Sequence, residues 1–217
     1  MKEHRRERPK AALWGTCLAI GLGFVVPAAG AARQSEARDL GFRYVDGKCL
    51  NESQEEGLNP GIPGICGDLK GADLRELPLE GVDFSGANLV GARMNYAKLR
   101  GAIFTGANLN NSDMRNADVR EADFRGASLE RVRLVGADLS RAILNDVDIQ
   151  RADLGLAILR DARITGANLQ NANLSGADLT GTDVRRARVR GAIADAKTIF
   201  PQDMSLDELG RLGIRFR

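Results

Sequence analysis

The sequence predicts an all-β solenoid with four-sided coils and a narrow, repeated core. Three observations carry this. A large apolar residue recurs at every fifth position, a small residue sits two places before each, and large residues repeat in kind at every twentieth position. The stretch GANLQNANLSGADLTGTDV (166–184) displays the first two: Leu169, Leu174, Leu179 and Val184 follow Ala167, Ala172, Ala177 and Thr182. Composition agrees. Only 5% of the 217 residues are aromatic and 25 are glycine, too few rings and too many turn formers for a conventional core of this size.

The frame runs from 71 to 190 without an insertion, which is 24 consecutive pentads. The large position is never polar, the position two before it is Ala in 18 of 24, and the position between is Asp or Asn in 14 of 24. An α-helix, at about 3.6 residues per turn, would smear a strict period of five around its whole surface. An extended segment puts alternate residues on opposite faces, so Ala and Leu point in and Asp or Asn points out. The remaining two residues turn the chain, and Gly81, Gly86, Gly101 and Gly106 stand there.

The number of corners per coil follows from the columns. Every twentieth core residue reads Phe84, Phe104, Phe124, then Leu144, Ile164, Val184. A second column reads Leu79, Leu99, Val119, Leu139, Leu159, Leu179. Twenty residues, four pentads, therefore make one coil, and the frame holds about six. At ~4.8 Å per coil the stack is roughly 29 Å long.

The motif A-[D/N]-L-x-x, met by GADLR at 71–75, GANLV at 86–90 and GADLS at 136–140, resembles that of the pentapeptide repeat family. The resemblance covers about 120 residues. It implies a right-handed quadrilateral β-helix with Leu or Phe on the axis and Ala beside it.

A solenoid exposes apolar surface at each end unless something covers it. Residues 32–70 leave the pentad frame, are rich in turn formers, and are expected to form an N-terminal loop cap. Cys49 and Cys66 lie in it, and in an exported protein they are expected to form a disulfide worth roughly 3 kcal/mol by loop-closure entropy. Residues 191–217 are expected to form the C-terminal cap. In SLDELGRLG, Ser205 and Glu208 form a capping box, with Leu206 and Leu209 as the apolar face of a short helix.

The N-terminus reads as a cleaved signal peptide over 1–31: a basic MKEHRRERPK, sixteen apolar residues, then PAAGAA with Ala29 and Ala31 at the small positions. The apolar run is short of the ~20 residues of a membrane span. No transmembrane span is expected in the mature chain, and a periplasmic or secreted location is.

The surface offers two candidate interaction features. Arg185, Arg186, Arg188 and Arg190 form a basic run in the last coil, suited to an anionic surface. Ile103, Ile143 and Ile158 occupy outward positions normally polar, and could mark a partner patch. Two outward columns look structural. One, Asp73, Arg93, Asp113, Arg133, Asp153, Asn173, alternates charge at coil spacing, which places each carboxylate between two guanidiniums. The other, Asn88, Asn108, Ser128, Asp148, Asn168, Arg188, reads as an amide ladder.

Catalysis is not expected. The only histidine is His4, inside the signal segment, so no Ser-His-Asp or Cys-His pair is available. No inserted loop breaks the convex rod to form a pocket. Neither a cofactor nor a metal is expected.

Within the resembled family, some members are acidic rods that look like duplex DNA to a topoisomerase. Residues 71–190 instead carry 16 acidic and 17 basic side chains, against the roughly one negative charge per 1.7 Å of duplex axis. Nucleic acid is an unexpected partner, and Tyr96 is the only aromatic in the repeat outside the Phe column. The reading is therefore a non-enzymatic exported scaffold for an unidentified protein or envelope component. The alternative is a DNA-mimicking topoisomerase-binding protein. The pattern leaves the oligomeric state open.

Overall fold

The computed structural model describes Phe42–Val45, Lys48–Asn51 and residues 68–217. The expected signal peptide, its cleavage site and Cys66 lie outside the described residues, and with them the Cys49–Cys66 disulfide.

Residues 68–199 form a stack of parallel coils. Bridges join Asp68 to Asn88, Asp73 to Arg93, Pro78 to Lys98 and Asp83 to Ile103, and the spacing of twenty then repeats up each of four faces. Two hydrogen bonds define each step. The inward amide reaches forward, as Leu74 N–H to Arg93 O at 2.7 Å, and the next outward amide reaches back, as Arg93 N–H to Ala72 O at 2.8 Å. Each edge is thereby paired above and below, which leaves lateral faces free of unpaired strand edges. The bridges overhang the 71–190 frame at both ends: Asp68 and a buried Leu69 begin one pentad earlier, and Ile193 and Ile199 still pair.

Two inward side chains per pentad fill the axis. Ala87, Ala92 and Ala97, with Leu89, Met94 and Leu99, are wholly buried, and the series continues to Leu179. Small and large residues alternate because the coil interior has room for one large side chain per edge. The rings of Phe84 and Phe104 stack with centroids 5.2 Å apart, and those of Phe104 and Phe124 at 4.9 Å. Such pairs add about 0.5–1.5 kcal/mol each beyond burial. Leu99 and Leu139 are wholly buried, whereas Leu79, in the first described coil, is only partly so.

The corners need a left-handed residue. Most close with a bond such as Ala72 N–H to Leu69 O at 3.0 Å, and their second turn residue takes φ near +60°, as a type II turn requires. Gly101 does so at no steric cost, but Glu76, Tyr96, Arg141 and Leu156 do it too. Cross-coil pairing dictates the corner more strongly than the side chain's own preference.

Regularity ends at Val184–Arg186, a short 3-10 turn where a left-handed corner would fall. Beyond it the chain makes β3 (Ile193–Ala194), α1 (Leu206–Arg211) and β4 (Arg215–Phe216), with β4 pairing parallel to β3. Gly191 N–H donates to Gly213 O at 2.8 Å, so this segment lies over the last coil, and it buries Leu209 and Ile214.

Three expectations are corrected. The segment 32–70, read as loop, holds an antiparallel pair, β1 (Phe42–Val45) with β2 (Lys48–Asn51), registered Phe42 to Asn51. Leu206 is 72% exposed although Leu209, one turn on, is buried, so the first turn of α1 leaves its apolar residue uncovered. Ser205 does cap the helix, accepting from Glu208 N–H at 3.2 Å, but the Glu208 carboxylate leaves the box for Arg185.

Candidate interaction surfaces

The outward side chains show how the faces are charged. At five pentads an Asp is followed two residues later by Arg, and in four of them the two meet as a bidentate pair; Arg185, two after Asp183, turns instead to Asp203 and Glu208. In Asp73–Arg75 both bonds are 2.6 Å; in Asp113–Arg115 they are 2.8 and 2.7 Å. Asp118–Arg120 and Asp123–Arg125 repeat the arrangement. Both residues lie on the same side of the extended segment, so the pentad itself brings them together.

This revises the charge ladder. Arg93 lies 3.6 Å from Asp73, and Arg133 lies 3.8 Å from Asp113, each farther than the arginine within the pentad. The column guanidiniums are secondary partners. The amide column is also discontinuous: Asn88 donates to Asp68 at 3.0 Å and Asn168 to Asp148 at 3.1 Å, while Ser128 donates instead to Asn110 at 2.8 Å.

The pairing sets the acidity of the faces. The Arg75 hydrogen bonds hold the Asp73 carboxyl down at about 2. Those of Arg115, Arg120 and Arg125 hold Asp113, Asp118 and Asp123 below the usual carboxylate range. Burial of Asp178 works the other way, but bonds from Thr180 and Arg160 outweigh it and keep that group low as well.

Of the apolar candidates, Ile103 is 37% exposed and Ile143 is half-buried two coils along the same face. Asp123, tied to Arg125, separates them. Ile158 pairs with Asp138 and Asp178 on the neighbouring face, so the three do not form one patch. Leu156 and Tyr96 are more exposed than any of these, and both stand at left-handed corners.

The basic run divides. Arg185 clasps α1: its Nε bonds Glu208 Oε1 at 2.6 Å and its Nη1 bonds Asp203 Oδ2 at 2.6 Å. Arg186 pairs with Asp183 at 3.2 Å. Arg188 and Arg190 are exposed and carry no ion pair among the described residues. Spacing alone could not separate these roles, since the partners come from 18 and 23 residues away, Asp203 ahead of α1 and Glu208 within it.

Among the described residues no three His, Cys, Asp or Glu side chains are grouped to hold a metal, and no helix is long and apolar enough to cross a membrane.

Comparison with known proteins bears on the stack. A trypsin-treated form of QnrB1, a plasmid-mediated fluoroquinolone resistance protein, superposes with a TM-score of 0.54 at 22% identity, over 69% of this chain and 77% of that one. HetL, a pentapeptide repeat protein involved in heterocyst differentiation regulation in Nostoc sp. strain PCC 7120, is 29% identical over 60% of this chain and 70% of its own, with a TM-score of 0.32. A pentapeptide repeat protein of the Arabidopsis thaliana thylakoid lumen is 30% identical over 65% and 81%, with a TM-score of 0.25. No curated protein matches. The family model for pentapeptide repeats matches in 8 copies, over 68–106, 94–131, 102–141, 122–161 and 157–193. These matches span more than half of the chain and coincide with the stacked coils, so the chain belongs to the pentapeptide repeat family, whose members are right-handed β-helices.

Proposed function

We propose that this protein is a non-enzymatic, exported scaffold of about six coils, closed at both ends, that offers its side faces to a protein or another envelope component. One observation carries the reading most. The register of twenty is unbroken from Asp68 to Asn168, and four of its outward carboxylates, Asp73, Asp113, Asp118 and Asp123, are neutralised by arginines of the same pentads. Such a rod presents long, rigid, mixed-charge faces at little ordering cost on binding.

The same pairing weighs against the topoisomerase reading. A duplex mimic needs free negative charge along its axis. Here Asp73, Asp113, Asp118 and Asp123 each hold a guanidinium.

The test is the intact mass of the protein from separated cytoplasmic, membrane and soluble envelope fractions, with and without reduction. The expected species begins near Ala32, sits in the envelope, and gains two hydrogens on reduction. A full-length, reduced, cytoplasmic chain would overturn the export reading and favour topoisomerase binding instead.

A further inference from the structure

The end of the stack built by residues 185–217 differs from every lateral face. It carries eight basic and four acidic side chains. Two of those acids, Asp203 and Glu208, are held by Arg185, and Asp195 accepts from the Gly176 amide and Thr198. The basic side is left in excess. Arg188, Arg190, Arg211, Arg215 and Arg217 are all exposed, and none has an ion pair among the described residues.

Three of these arginines line two adjacent sides of the end. Arg188 bridges to Asn168 at the foot of one face, and Arg215 pairs beyond Ile193 at the foot of the next. Arg190 lies at the corner between them, its Cγ beside Gly213. The same segment also exposes apolar side chains. Phe216 is 45% exposed and meets Phe200 edge-on at 6.2 Å, and Ile199 is 50% exposed. Leu206 projects from the first turn of α1.

We propose that this end docks on an anionic lipid surface, with the guanidiniums on headgroup phosphates and Phe216, Ile199 and Leu206 at the acyl boundary. Charge complementarity selects this occupant. A second copy apposed end to end would bring two clusters of unpaired arginines together, which like-charge repulsion opposes. A soluble phosphate or a nucleic acid would use the arginines but leave Phe216, Ile199 and Leu206 wet. A membrane interface uses both, because it rewards apolar burial and basic charge together. The inference specifies the envelope component of the preceding reading and rests on it for location alone. Vesicle binding reports on this end whichever compartment the protein occupies, so the two can fail separately.

The test is flotation of the full chain with vesicles of phosphatidylcholine, with and without equimolar phosphatidylglycerol. Binding should rise with phosphatidylglycerol and weaken as salt screens it. Replacing Arg188→Gln, Arg190→Gln and Arg215→Gln together should lower partition to the anionic vesicles about a hundredfold, from roughly fivefold per guanidinium. Phe216→Ser should lower it severalfold. Arg141→Gln with Arg163→Gln, on the side of the rod, should leave it unchanged. The proposal is overturned if the triple variant partitions like the parent, if the lateral pair loses as much, or if wild-type binding does not respond to salt. Sedimentation equilibrium without lipid gives a further check: a dimer that Phe216→Ser dissolves would assign the end to a second copy.

Discussion

The middle of the stack and its last segment solve the same problem with different means. In the middle each backbone partner is one coil away and usually of the same kind: phenylalanine on phenylalanine, alanine on alanine. At the end the partners are unlike and their spacing varies. Leu174 O accepts from Thr198 at 3.0 Å, Gly176 N–H reaches Asp195, and Arg185 holds both Asp203 and Glu208. Repetition distributes stability over many equivalent contacts. Termination concentrates it in a few specific ones.

The largest test of that contrast is a pair of core truncations. Phe104 stacks on a ring above and a ring below, so Phe104→Ala should cost about 3–5 kcal/mol and lower the melting temperature of the whole stack. Leu209→Ala also empties a buried site. Its effect should stay local, with faster amide exchange in residues 199–217 and little change at Leu99 or Leu139. Equal spread from both sites would remove the distinction.

A smaller change exposes a misfit of the middle. Ser112 occupies an inward position normally held by Ala, and its buried hydroxyl has no partner. Ser112→Ala should stabilise by about 1–2 kcal/mol in denaturant unfolding.

The corners can be tested apart from packing. Gly101 has φ +65° and open space where a Cβ would go, so Gly101→Ala should cost about 1 kcal/mol from backbone conformation alone. Arg141 holds the same corner two coils on at φ +59°, and Arg141→Gly should be neutral or stabilising by less than about 1 kcal/mol. Opposite signs in the two melts are the expected result.

Acid separates the two kinds of ion pair with the least effect on overall stability. Asp73 and Asp123 are held low by arginines two residues away, and Asp203 and Glu208 by Arg185. Carboxyls depressed in the folded state contribute fully above their unfolded values near ~4. That contribution is lost as pH falls through the folded values, about 2 for Asp73. Asp73 and Arg75 belong to one pentad, whereas Arg185 joins distant segments. Below pH ~4 amide exchange should therefore quicken first in α1 and β4, ahead of the coils.

The same contrast explains what was legible in the sequence. A strict repeat couples each residue to its counterpart twenty places on, so period, coil size and the Phe84–Phe104–Phe124 column could be read directly. The Asp–Arg pairs follow a local spacing of two, in DLR, DMR, DVR and DFR, which the columns do not display, and the second DVR, at 183–185, shows that the spacing permits the pair without dictating it. The hairpin of β1 and β2 was masked by the turn formers around it. The left-handed φ of Tyr96 and Leu156 has no local signature, because cross-coil hydrogen bonds impose it. The exposure of Leu206 and the engagement of Arg185 depend on contacts made once, which no period announces.

The register of twenty has a consequence for how such a chain can change in length. Excising residues 108–127 would join Ala107 to Ser128 with every inward and outward position still in phase. The rod would shorten by one step of ~4.8 Å and its four sides would keep their identities. Removing five residues would instead rotate everything downstream by a quarter turn. Length and orientation are thus quantised, and two features on the surface can be moved apart or turned against each other only in whole counts.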